Sequence, residues 1–548
     1  MADELGQEVI RDFAARSGSR GVWESYWDEI AELVDPNMRD MFRQGDVRTK
    51  GERLTDKQLD STPTIALTRF AAILDSLLTP RNQTWHRLRA SNDELMKNHE
   101  VRLYFENLTR ELFRQRYAPT ANFSINNQLV YRGLGSFGTS SMFIDRLAAG
   151  AGLRYKAIHV GQMYPKENHQ GTIDDIIRRE TFPASALMKI DAWRDKLPKA
   201  VTEAAANPLR AAQEFDVYHR VRPRPDVDYE ALDETAMPYE SVYVLKEGAV
   251  VLETGGYRSF PYAPTRYDQS PNEVYGRSPA MQALPAIKTL MVQKRVMLTE
   301  GHRAISPVLL IHDDGSVNPI SVRPGSFIPG SVNADGRQLV HTLPTGNHNL
   351  NKELMDDEKS AISAAFLVEL FQILTDTPRM TATEVLERTR EKGMLLAPTI
   401  GRQQSEYLGP MITREIEVLT MIGAAPDMPR ALIEAKGEFT IMYDSPLSRV
   451  ARAEEAAGFN RVMEMLIPVL NAGKTEVLDN YEWDTITREL SDNQAVPASW
   501  MASIDQVQAI RAQRQQQQEA LLRAQVAPEM LKATAAAKKA GVTAKDIQ

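Results

Sequence analysis

The stretch "SPAMQALPAIKTLMVQKRVMLTEGHR" (residues 278–303) decides how the chain is read. Ser278 offers a hydroxyl to free N–H groups. Pro279 then supplies the ring whose missing N–H costs nothing at the first helical position. Apolar residues at Met281, Leu284, Ile287, Met291 and Leu298 keep close to helical spacing. A helix of that length spans about 37 Å. A second run, residues 351–374, predicts a partner of about 36 Å with Leu354, Ile362, Ala365, Phe366, Leu370 and Ile373 on its apolar face. The plain alternative is an ordinary helical hairpin inside a globular core.

The two helices differ in sign. Lys288, Lys294, Arg295 and Arg303 against Glu300 leave the first at +3. Glu353, Asp356, Asp357, Glu358 and Glu369 against Lys352 and Lys359 leave the second at −3. Such charges suit side-by-side pairing, within one subunit or between neighbours. Exposed ion pairs contribute only ~0–1 kcal/mol each, so they select a register more than they hold it.

Between the helices, residues 305–350 hold five prolines and five glycines, and "SPVLLIHDDG", "PISVRPGSFIPG" and "RQLVHTL" read as short strands at turns. Upstream, "VWESYWDEIAELVDP" puts Trp23, Trp27, Ile30 and Val34 on one helical face. Thr62-Pro63 opens a helix through Leu67, Phe70 and Leu74. Ser91 with Glu94 has capping-box spacing for a helix reaching about Tyr117. Strands are expected at residues 84–90, 141–146, 153–160, 215–221, 239–245 and 250–253, with helical pieces such as 184–197 between them. Downstream, Thr381 with Glu384 opens a helix expected to kink at Pro398 and stop at Gly423. "GEFTIMYDS" then reads as a strand returning to the first domain, and the Gln/Arg/Ala-rich end as a helix with a mobile tail. The class is α+β with a mostly antiparallel sheet.

The 548 residues allow two to four domains, and 43% hydrophobic with 25% charged residues is ordinary globular composition. There is no cysteine, hence no disulfide, thiol nucleophile or Cys-based zinc site. No run approaches the ~20 apolar residues that span a bilayer, and the first residues lack a signal-peptide core. A soluble chain, cytoplasmic where it is made, is expected. Net charge is −8, without the basic footprint of a DNA reader.

Two glycine motifs tempt and fail. Gly133, Gly135 and Gly138 match G-x-G-x-x-G, but the loop must leave a strand and open a helix, and here the order is reversed. "AGKT" (residues 472–475) has Pro468 where a P-loop needs its first glycine. His341 and His348 lack a convincing ligand set, so no metal, cofactor or catalytic residue is assigned.

Several segments together resemble the portal, or head-to-tail connector, proteins of short-tailed, T7-like bacteriophages. They are "YWDEIAELVDP", "LDSLLTP", "GYRSFPYAPTRYDQSPNEVYGRSPAMQALPAIKTL", "PRMTATEVLERTREK" and "VPASWMASIDQVQAIRAQRQQ", in the family's order along nearly the whole chain. "VYGRSPAMQALP" and "RMTATEV" are the more specific. The resemblance implies a ring, expected to be a dodecamer, at one capsid vertex of the virion. Double-stranded DNA passes through it without sequence reading, driven by a terminase that hydrolyses the ATP. Major capsid, scaffold and tail adaptor proteins are the further partners implied.

The family's plan then assigns residues 1–277 to a wing, 278–304 and 351–374 to a stem and 305–350 to a clip. Residues 375–381 become a channel loop, 382–448 a kinked helix returning to the wing, and 449–548 a helical crown. Candidate DNA-channel residues are Asp376 and Arg379. Lys288, Lys294, Arg295, Asp356, Asp357 and Glu358 are candidates for the subunit interface, and His312, Asp313 and Asp314 for partner docking. The alternatives are another capsid or scaffold protein, or a nucleotide-binding enzyme resting on the two glycine motifs.

Overall fold

The computed structural model describes residues 2–41, 55, 57–147, 152–228, 234–306, 309–311, 332, 335–338, 340–342, 348–368, 397–435, 437–444, 458–459, 461–468, 471, 475–493, 496, 500–504 and 506–521. The chain forms two compact units, residues 1–85 with 112–424 and residues 86–111 with 425–548. Residues 86–111 thus group with the C-terminal part.

Helices α1 (Ala2–Gly18), α2 (Gly21–Leu33) and α3 (Thr62–Leu78) come first. Strand β1 (His86–Ala90) and helices α4 (Asp93–Met96), α5 (His99–Arg116) and α6 (Phe123–Phe137) follow. Next are β2 (Thr139–Arg146), β3 (Leu153–Ile158), β4 (Met163–Glu167) and β5 (Ile173–Pro183). Short helices α7 (Ala184–Leu187), α8 (Asp191–Arg194) and α9 (Lys199–Ala206) precede β6 (Glu214–Pro223), β7 (Tyr239–Leu245), β8 (Val250–Tyr257) and β9 (Tyr262–Arg266). Helix α10 (Pro279–Ile305), strands β10 (Leu309–Ile311) and β11 (Val340–Thr342), and helix α11 (His348–Ala365) come next. A π-turn (Gln403–Leu408) leads into α12 (Gly409–Met421), followed by α13 (Arg430–Glu434), β12 (Phe439–Tyr443) and α14 (Trp483–Asn493).

The class is α+β, and the described strand pairs are all antiparallel. In the first unit, sheet β4-β5-β6-β7-β8 is buried on both faces because successive residues of a strand point opposite ways. Val217 and Leu245 pack under α7–α9 with Leu187, Trp193 and Val201. Their neighbours Tyr218 and Val244 pack under α1 with Val9 and Phe13. The smaller sheet β3-β2-β9 is continuous in sequence with α6.

In the second unit, β1 pairs with β12 from His86 opposite Tyr443 to Ala90 opposite Phe439. His86, Leu88 and Ala90 are buried, and Leu88 N–H donates to Thr109 Oγ1 at 3.3 Å. The "GEFTIMYDS" strand thus forms, paired to the early "TWHRLRA" strand inside the C-terminal unit. Arg511 reaches Asp484 of α14 with two hydrogen bonds of 2.6 Å.

Two expectations need correction. The helix expected from residue 91 is two: Asn92 Oδ1 accepts Glu94 N–H to cap α4, and Asn98 Oδ1 accepts Glu100 N–H to cap α5. Asn92 takes the Glu94 N–H that a Ser91–Glu94 box would use, while Ser91 N–H bonds Glu438 O. The second long helix ends at Ala365 rather than Leu374, because Leu367 takes a left-handed φ of 59°. The long rods are therefore unequal, 27 residues against 18 in the described chain. Residues 403–408 depart from α geometry, and the residues on the N-terminal side of the expected kink at Pro398, 369–396, lie outside the described residues. The stop at Gly423 is as expected, with φ 69° and Ala424 N–H bonding Leu419 O.

Candidate functional site

The start of α10 is seated by its cap. Ser278 Oγ accepts Met281 N–H at 3.0 Å and donates to Ser136 O at 2.8 Å, tying the helix to the end of α6. Tyr275, just before it, meets Trp27 edge-on at 5.0 Å. From there Met281, Leu284, Ile287, Leu290 and Met291 are buried. The burial then stops. Val292, Val296, Leu298 and Ile305 are all exposed, Val292 by 60% and Ile305 by 85%. Helix α11 packs beside α10 and buries Met355, Ile362 and Phe366, the last edge-on to Phe70 at 6.2 Å. Leu354, expected inside, is exposed and Met355 takes its place.

The expected interface charges separate into two groups. Lys288 is held within the chain by Glu29 of α2 at 2.5 Å. Asp356 bonds Lys359 one turn on at 3.2 Å. Lys294 of α10 and Lys359 of α11 both act on Asp60. Burial alone would raise that carboxyl, but hydrogen bonds from Thr62 Oγ1 (2.5 Å) and N–H (2.9 Å), with the two lysine charges, hold it below its usual range. Arg295 and Asp357 are exposed, and Glu358 is half-buried. Asp376, Arg379, His312, Asp313 and Asp314 lie outside the described residues.

The glycine motif is a helix-to-strand turn, as its order predicts. Gly138 ends α6 with φ 75°, and a Cβ there would meet Gly276 O at 2.3 Å. Gly135 lets α3 close in, since a Cβ would stand 2.7 Å from the Phe70 ring. In "AGKT", residues 472–474 lie outside the described residues. Among the described residues no group of His, Asp and Glu is placed to hold a metal, and no helix is long and apolar enough to cross a membrane.

What sequence periodicity missed is a buried polar lock beneath α12. Arg116 donates through Nε (3.0 Å) and Nη2 to Glu415, and Tyr155 OH donates to the same carboxylate at 2.5 Å. Burial would lower the Arg116 pKa, but the Glu415 charge and hydrogen bonds drive it up. A second network joins Asn127 to Asp75 Oδ1 and Thr79 Oγ1, both at 2.8 Å, with Tyr407 OH donating to Asn127 Oδ1 at 2.8 Å. Charged and amide residues at core-facing helical positions, such as Asn127 and Glu415, were the available signal.

Among the described residues, α10 carries an apolar stripe that continues past the buried seat of the helix. The chain belongs to the bacteriophage head to tail connecting protein family, which matches residues 7–501. It is 28% identical over 511 residues to the probable portal protein of Bordetella phage BPP-1, covering 91% of this chain and 89% of that one. It is 24% identical over 529 residues to the portal protein of Salmonella phage epsilon15, covering 95% and 93%.

Proposed function

We propose that this chain is the portal subunit of a phage head, a ring at one capsid vertex, twelve copies being the expected number. Through its bore double-stranded DNA is packaged by a terminase, retained, and ejected through a tail bound by an adaptor. The observation that carries the reading is the family match over residues 7–501, in a chain whose α10 exposes apolar residues beyond its buried seat. Exposed apolar stripes of this kind mark contact surfaces. Ring closure needs a heterologous contact, one face against a different face of the next copy.

In this reading residues 278–304 and 351–374 are the stem, with Lys288, Lys294, Arg295, Asp356, Asp357 and Glu358 at or beside the contact between copies. Arg295 and Asp357 are the better candidates, since Lys288 already serves Glu29. Residues 305–350 form the clip, docking terminase and adaptor through His312, Asp313 and Asp314; β10 and β11 pair there. Asp376 and Arg379, in residues 375–381, face the DNA. Residues 1–277 and 382–448 make the wing and its return, and 449–548 the crown. The chain works as a conduit with no catalytic centre of its own. Twelve copies at −8 each carry −96, which repels a passenger whose charge falls about every 1.7 Å. The test is assembly of heads with and without the chain. Heads lacking it should hold no genome, and DNA-filled heads without it would refute the reading.

A further inference from the structure

The helix between residues 397 and 421 is not uniform. Residues Gln403–Leu408 form a π-turn, closed by Gly409 N–H bonding Gln404 O, five residues back. The cause stands next to it. Pro410 has no N–H, and in α geometry its ring would press on the carbonyl of Glu406. A π-turn inserts one residue into an α-helix, so what precedes it is offset by one position, about 100° of rotation and 1.5 Å of rise.

The two sides of this turn are held very differently. Beyond it, Met411, Ile412, Arg414, Glu415, Val418 and Leu419 are buried, and Glu415 is locked by Arg116. Within it, Gln403 accepts from Thr265 Oγ1 and donates to Arg266 O at 2.9 Å. Glu406 takes the Arg266 guanidinium at 2.9 Å, and Tyr407 holds Asn127. Before it, none of residues 397–402 is buried. One group there is badly placed: Arg402 Nη1 is shut off from solvent with no hydrogen-bond partner. Native proteins rarely leave a buried charged donor unmet.

The geometry points to a register joint. The π-turn can close to α geometry, Gly409 N–H moving from Gln404 O to Ser405 O, so that residues 397–404 turn by one position and Gln403 leaves its bonds to Thr265 and Arg266 while residues 411–419 keep their seat. The step frees Arg402 from its unsatisfied site. It does not depend on the connector reading.

The sequence has no cysteine, so two introduced thiols are unique labels. A Cβ at Gly401 meets nothing within 4 Å, and Thr413 is exposed. Full-length chain carrying Gly401→Cys and Thr413→Cys, spin-labelled and diluted into excess unlabelled chain, reports the distance across the turn. Two distances are expected. The second should coincide with the distance in a chain from which Ser405, exposed on the turn, is deleted. Should that deletion fail to fold, Pro410→Ala serves instead and should raise the population of the second distance. A single distance in the native chain, or populations unmoved by Pro410→Ala, would overturn the joint.

Discussion

Arg116 and Glu415 form a doubly hydrogen-bonded ion pair with neither side chain exposed, joining the end of α5 to the middle of α12. Tyr155 shares the carboxylate, and the Trp85 ring lies 4.6 Å from the guanidinium. Arg116 Nη1 already lacks a partner, so losing Glu415 leaves a buried guanidinium without its counter-ion. Glu415→Gln should therefore cost about 3–5 kcal/mol, the usual penalty of breaking a buried pair. Replacing both members with Met should cost less. Chemical denaturation of the three chains checks this, and a loss below about 1 kcal/mol for Glu415→Gln would contradict it.

His159 gives the chain an acid-sensitive term. Burial, and then the nearby Arg20 charge, push its pKa from 6.5 down to about 3. Between those values the unfolded chain binds a proton that the folded chain does not, so stability rises with pH and falls as acid is added. Nδ1 accepts Gly161 N–H at 3.0 Å, a bond that Asn at this position can keep. His159→Asn should lower the slope of stability against pH across this window by about one proton. An unchanged slope in denaturant titrations from pH 6.5 to 4 would count against it.

The proposed contact through the exposed half of α10 can be tested apart from folding. Lys294→Glu with Arg295→Glu reverses the cationic face, and Val296→Asp charges the apolar stripe. Each should change chain stability by less than about 1 kcal/mol, as surface substitutions do. Each should also lower the yield of assembled particles. Sedimentation separates the two effects, and full assembly in both variants would remove α10 from the contact.

Much of the fold was legible because it follows periodicity and caps. Thr62-Pro63, Ser278-Pro279 and Gly423 mark helix ends where the sequence puts them. Tyr239–Leu245 is a strand over its expected residues, while β4, β5 and β9 were missed. In β5 the charges are the reason. Asp175 and Arg178 are buried in the strand, Asp175 Oδ2 accepting from Arg16 at 2.6 Å, so no clean alternation survives. The polar lock was hidden for a related reason. Arg116 and Glu415 stand 299 residues apart, and only the folded chain brings them together. Leu354 and Met355 show the limit of a helical wheel, since neighbours of equal hydrophobicity differ only by which one the partner helix covers.

Microscopy of the purified full-length chain, in negative stain, tests the central claim most directly. The account predicts annular particles with a hollow axis wide enough for a DNA duplex. Monomers alone, or closed shells without a bore, even when capsid proteins are present, would contradict it.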